Sequence, residues 1–152
     1  MNALLNIRAV AAALLLSVFA ACTSHVDTAS LAGTYGVTDK SGQVTPFVKI
    51  EAGDASKGEF VLYEYRKGEW KRPKQAWSDN PTYEPVKPFK KEDLEKLVHH
   101  KLDVDVDGVQ TRGFAFVHVP AGWSDTGDAH GFTTKTGFFA MTLIGPVELV
   151  RM

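Results

Sequence analysis

Glu59-Phe60-Val61-Leu62-Tyr63-Glu64-Tyr65 is the stretch on which the fold turns. It joins aromatic and branched side chains without glycine or proline, and such residues suit a pleated, half-buried surface. A strand is expected here. Working outward, similar short runs recur between Gly, Asp and Pro punctuation, the spacing of an all-β sandwich or barrel. Gly33 to Val37 reads as a first strand, Asp39 to Gly42 as a turn, and Val44 to Ile50 as a second strand. Leu102, Val104 and Val106 alternate with Asp103, Asp105 and Asp107, a period of two that predicts a strand with one core face and one wet face. Phe114 to Val119, Gly137 to Ile144 and Val147 to Arg151 complete about seven strands, with Gly145-Pro146 between the last two.

The run is interrupted from Arg66 to Lys91, a stretch dense in Lys, Trp and Pro with no apolar period. A long surface excursion is predicted there, and in compact domains such excursions are functional or disordered. Beyond Pro88, residues Leu94, Leu97 and Val98 repeat at helical spacing, so Lys90 to His99 reads as a short helix that packs on the sheet and plugs one end of a barrel. The predicted fold is all-β, a mainly antiparallel small barrel or sandwich with one short helix.

The first residues carry an address rather than a fold. Arg8 is the only charge before an apolar run that ends at Ala21, the layout of an export signal. A run from Ala9 to Ala21 is shorter than the ~20 residues a spanning helix needs. The signal closes Val18-Phe19-Ala20-Ala21-Cys22. This resembles the lipobox of bacterial lipoproteins, in which small residues precede a modified cysteine, with Phe19 where Leu is usual. The resemblance implies cleavage after Ala21, lipid on Cys22, and, because Thr23 rather than Asp follows, an outer-membrane location on the periplasmic side. The alternative is conventional cleavage that leaves a free periplasmic protein. On this reading residues 1–21 are signal, 22–31 are the lipidated N-terminus and tether, and 32–152 form one β-rich domain.

Removing the signal removes Arg8 alone, so 17 basic residues become 16 against 18 acidic ones, a net charge near −2. So even a balance implies neither a nucleic-acid surface nor a polybasic membrane patch. With Cys22 spent on lipid, the single cysteine is used and the fold must stand on packing without a disulfide.

Several clusters invite chemistry. Asp103-x-Asp105-x-Asp107-Gly108 resembles the opening of a calcium-binding EF-hand loop, where alternate carboxylates turn toward one ion. The pattern then departs, with Phe114 at the position of the bidentate Glu and Gln110 at the apolar eighth position. The same letters describe a strand running into an Asp-Gly hairpin turn. Asp125-x-x-Asp128-x-His130 offers metal ligands or a base with an orienting carboxylate, or simply a loop. His99 and His100 are adjacent, so on a helix end they diverge by about 100°. Ser124 follows Gly122-Trp123, but Thr126 occupies the second glycine of a nucleophile elbow. No catalytic set emerges, and no cofactor is expected.

The excursion offers more. Trp70, Trp77, Tyr83 and Phe89 are interleaved with Lys67, Lys71, Arg72 and Lys74. Exposed rings with neighbouring cations have the composition of interface anchors, although they also fit a cap over the barrel end. Trp123 carries the same two readings. The leading expectation is a binding module that grips another envelope protein, of inhibitor or immunity type, through Trp70, Lys71, Arg72, Trp77, Tyr83 and Trp123. A ligand- or carbohydrate-binding barrel lined by Phe60, Phe116 and Phe138 is the runner-up, and a hydrolase or metal-dependent enzyme at the Asp125 loop is third. Gly33-Thr34-Tyr35 resembles the Gly-x-Trp opening of lipocalins with Tyr in the place of Trp; no other motif ties the domain to a family.

Overall fold

The computed structural model describes residues 28–54, 59–75, 82–127 and 131–152, which hold one nine-stranded antiparallel sheet. The strands are β1 Gly33–Thr38, β2 Val44–Ala52, β3 Phe60–Arg66, β4 Glu69–Lys71, β5 Lys87–Lys90, β6 Asp107–Gln110, β7 Ala115–His118, β8 Phe138–Thr142 and β9 Gly145–Arg151. One helical turn, α1 Thr28–Leu31, precedes them, and α2 Lys91–Val98 is the short helix. The spatial order is β4-β3-β2-β1-β9-β8-β7-β6-β5. Two meanders are thus joined where the last strand pairs with the first, Tyr35 opposite Arg151 and Gly36 opposite Val150. The sheet curls into a half-barrel whose edges, β4 and β5, are left facing a gap.

Curling follows from where the apolar side chains go. Alternate residues of a strand face opposite sides of a sheet. Tyr35, Val48, Ile50, Leu62, Phe116 and Leu149, from both meanders, are buried in one cluster, which defines the concave side. Tyr35 is wedged at its centre, 4.6 Å from Phe116 and 5.1 Å from Phe138 between ring centroids. Its hydroxyl donates to the Leu31 carbonyl at 3.0 Å, tying α1 to the core, and burial pushes its pKa up. Phe60, Phe116 and Phe138 therefore fill the interior by packing with its other apolar side chains.

A second cluster lies on the opposite face of β7 and β8. Ala115, Val117 and Phe139 point away from the concave core and are covered by Phe89, Leu94, Leu102 and Val106. Helix α2 consequently packs on the outer surface of the sheet and does not plug the barrel end, because its apolar stripe matches this second layer of side chains. The Asp93 carboxylate accepts from the Lys90 amide at 3.1 Å at its start, and His99 ends it at φ 60°. Among the described residues the buried apolar side chains run from Leu31 to Leu149, in two clusters that share the one sheet.

Four local expectations are corrected. Leu102 and Val106 are buried and Asp103 and Asp105 exposed, as the alternation predicts, yet the segment pairs with no strand until Asp107. The Asp107-Gly108 pair opens β6 instead of making a turn, since a Cβ at Gly108 would stand 2.3 Å from the Phe116 carbonyl oxygen. Glycine is there for closeness. The last hairpin turns at Leu143-Ile144, while Gly145 and Pro146 already belong to β9 and pair with Thr142 and Met141. Part of the excursion is sheet as well: β4 turns back on β3 through Lys67 and Gly68, both at positive φ, and β5 tolerates Pro88 because it is an edge strand.

The loop from β7 to β8 is held by one carboxylate. Oε1 of Glu148 accepts from the amides of Lys135 and Thr136 and from the Thr136 hydroxyl, each at 2.9 Å. Thr134, fully buried, adds its hydroxyl at 3.2 Å and in turn accepts from the Gly137 amide.

His118 stacks on Phe138, 4.6 Å between centroids and 18° between planes. Burial lowers its pKa and the Arg151 charge lowers it further, while Asp107 works the other way. The folded chain thus resists protonating this imidazole, whereas the unfolded chain takes up a proton below about pH 6.5. Stability from this source is complete above that value and is lost as pH falls through it toward the lower folded pKa. Urea midpoints measured from about pH 8 down to about pH 5 are expected to fall less steeply in His118→Gln than in the parent. Equal slopes would show that His118 does not report on folding.

Candidate functional site

The gap between β4 and β5 is where four of the predicted binding residues, Trp70, Lys71, Arg72 and Tyr83, meet. Tyr63, Tyr65 and Trp70 share the outer face, since Phe60 and Leu62 point inward and Tyr65 lies opposite Trp70 in the ladder. The Tyr65 and Trp70 rings meet edge-on at 5.0 Å. The Lys49 ammonium lies 4.5 Å from the Tyr63 ring and 5.8 Å from the Trp70 ring, a favourable place for a cation over π electrons. Beyond β4 the Arg72 guanidinium covers the Tyr83 ring at 3.9 Å, and Lys74 bridges to Tyr83 through the backbone. Arg72 and Tyr83 thus brace one short ribbon across the gap.

A recess of about 910 Å³ opens against this ribbon, lined among others by Trp70, Lys71, Arg72 and Tyr83. A second, of about 770 Å³, shares Lys74, Glu84 and Thr111 with the first and adds Lys87 and Arg112. Around the two stand Arg66, Lys71, Arg72, Lys74, Lys87 and Arg112, against the carboxylates Glu64 and Glu84. Glu64 is paired with Arg66, and Glu84 accepts from the Arg112 amide at 2.9 Å. Lys71 is tied to Glu69 at 2.9 Å, an exposed pair of small energetic consequence. The lining is therefore strongly cationic, with half-exposed Tyr83 at its edge.

Other sequence candidates fall elsewhere. Trp77 lies outside the described residues, as do Cys22, Asp128 and His130. Trp123 stands apart from the cationic gap, on the helix side, parallel to Phe139 at 6.1 Å in an apolar cleft of about 230 Å³. Asp103 and Asp105 face solvent while Asp107 sits in β6 opposite His118, and no three His, Cys, Asp or Glu side chains converge among the described residues. The Ser124 hydroxyl is engaged by Thr133 at 2.7 Å.

One pairing was not legible in the sequence. His100 places Nε2 2.9 Å from Asp125 Oδ1 and Nδ1 2.9 Å from the Val98 carbonyl oxygen. It fastens the end of α2 to the loop after β7, with the ring lying close over Gly127, where a Cβ would meet it at 2.2 Å. Its partner lies twenty-five positions away in another loop, beyond the reach of local pattern.

No protein family, no curated protein and no solved structure matches this chain.

Proposed function

We propose that this domain is a binding module, anchored through Cys22 on the periplasmic side of the outer membrane, that grips an acidic surface of another envelope protein in the manner of an inhibitor or immunity factor. The observation that carries the reading is the cationic gap: six basic side chains and the rings of Trp70 and Tyr83 around two adjoining recesses, in a chain whose overall charge is −1. Arg, Trp and Tyr are the side chains that dominate protein interfaces, because they bury large area and pair with carboxylates at modest entropy cost. The filled interior gives the ligand-barrel reading no comparable support.

The test uses residues 23–152 as bait in envelope extracts, with the double variant Trp70→Ala, Arg72→Ala beside it. A stoichiometric protein held by the parent is expected to lose about a thousandfold in affinity to the variant, two interface anchors being worth about 2 kcal/mol each when truncated. Binding should also weaken steeply with salt. A parent bait that retains no protein, or a variant that binds equally well, sinks the proposal.

A further inference from the structure

The register places five features at one end of the half-barrel. The β1–β2 turn at 39–43, the β3–β4 turn at 67–68, the start of β5, the β6–β7 turn at 111–114 and the β8–β9 turn at 143–144 all lie there. At the tip of the last, Leu143 is 96% exposed and Ile144 95% exposed. Folding gains nothing from two large aliphatic side chains held in water on a two-residue turn. The turn itself does not ask for them, since its geometry is met by Gly145 at φ 118° and by the Thr142 hydroxyl, which accepts from the Ile144 amide at 3.3 Å.

The neighbouring turns each carry a cation. Lys40, Lys67, Lys87 and Arg112 stand on the other four features of this end, and none of the four is ion-paired with a described residue. Arg66 adds a fifth positive charge, bound to Glu64. The acidic residues of the same end are Asp39, Glu69 and Glu84. Asp39 is turned inward on its own loop, accepting from the Ser41 amide at 2.8 Å and the Gln43 amide at 3.0 Å, and Glu69 is paired with Lys71. From Lys91 to Asp107, by contrast, six carboxylates face three lysines. The even overall balance thus hides a polar distribution of charge.

We infer that this end is a contact for an anionic phospholipid surface, with Leu143 and Ile144 entering the interfacial layer and the cations of the flanking turns meeting the headgroups. The β8–β9 tip stands farthest out and the cationic turns flank it farther back. A bilayer is the anionic surface that takes up aliphatic side chains at its interface while its headgroups meet cations above them. Protein hot spots draw instead on Trp, Tyr and Arg, with Leu under-represented, so a tip of Leu and Ile fits lipid better than a protein pocket. This contact uses none of the rings at the gap, although it shares Arg66, Lys87 and Arg112 with its recesses. Because α1 lies at the opposite end, it meets a lipid surface other than the one that would hold Cys22.

Residues 23–152 contain no cysteine, so Leu143→Cys provides a unique thiol for a polarity-sensitive fluorophore. With vesicles of equal parts phosphatidylglycerol and phosphatidylcholine, the dye is expected to shift to the blue and the unlabelled domain to sediment with the lipid. Pure phosphatidylcholine, or about 0.5 M salt, where screening acts within about 4 Å, should lower binding by about tenfold. The double variant Leu143→Ser, Ile144→Ser, whose fold is checked by circular dichroism, should lose about tenfold or more, while Trp70→Ala binds as the parent does. A parent that ignores anionic vesicles overturns the inference, as does a tip variant that sediments equally or a dye that stays in water while the domain binds. A tip needed for protein capture in the absence of vesicle binding would overturn it too, and assign the tip to a protein partner.

Discussion

Phe116→Ala is expected to cost about 3–5 kcal/mol of folding stability, a large share of the roughly 5–15 kcal/mol that holds a small domain together. The ring is completely buried, sits on the concave face of β7, and touches both Tyr35 of the first strand and Phe138 of the neighbouring one. Removing it leaves a void where the two meanders meet, and the surrounding strands are too rigidly paired to collapse into it. Urea unfolding should show a large fall in midpoint with an unchanged slope. The natural comparison is Leu143→Ser, which alters an equally apolar residue in full solvent and should move the midpoint by less than about 0.5 kcal/mol equivalent. The result also decides between two uses of the same rings. If Phe60, Phe116 and Phe138 lined a ligand chamber, truncating Phe116 would enlarge it at small cost to stability; a change below about 1 kcal/mol would restore that reading.

The structure explains why some elements were visible in the sequence and others were not. β3 stood out because seven successive residues have strand chemistry and no breaker, and the observed strand, Phe60–Arg66, is shifted by a single residue from the expected 59–65. β1, β2, β7, β8 and β9 followed from the same kind of run. β4 did not, because three residues between charged neighbours carry no period, and β5 did not, because Pro88 argues against a strand unless the strand lies at an edge. The Leu102–Asp107 segment shows the opposite failure. Its alternation reports burial on one side, which a chain crossing an apolar surface produces with or without a partner strand. Pattern reads environment more directly than it reads pairing.

The candidate site was legible in composition and not in arrangement. Rings and cations between Arg66 and Lys91 marked the region, and Trp70, Lys71, Arg72 and Tyr83 do line one recess. Lys49 and Arg66 reach them through the pairing of β2, β3 and β4, whereas Lys87 and Arg112 join them only because β9 pairs with β1 and bends the two meanders toward each other. That closure depends on residue pairs 114 and 116 positions apart, and no local signal announces it. Trp123 has the same composition-level appeal and lies over β8 beside α2, apart from the gap, stacked on Phe139. A ring in a polar loop therefore marks a site only when the topology brings cations to it.

Cys22→Ser should abolish lipid attachment altogether, the largest effect expected of any single change. In the lipoprotein reading the cysteine sulfur carries diacylglycerol and its amino group a third chain, and each buried methylene contributes about 0.8 kcal/mol of membrane affinity. One chain gives only reversible binding, whereas three hold the domain for its lifetime. The parent should therefore incorporate labelled palmitate, partition into detergent, and show an intact mass that begins at residue 22 plus three acyl groups. The serine variant should take up no label and retain residues 1–21, because the lipid-dependent peptidase acts after modification. A parent that starts at another residue, or that carries no lipid, would favour conventional cleavage and a freely diffusing domain. The consequence reaches the rest of the molecule, because α1 and Gly33 sit at the end opposite the Leu143–Ile144 tip. Six residues from Cys22 to Asp27 span at most about 20 Å, so an anchored domain is held close to its membrane by its acidic side, with the gap between β4 and β5 open laterally to a partner. A free domain has no such bias, and the basic end alone would then choose the surface it meets.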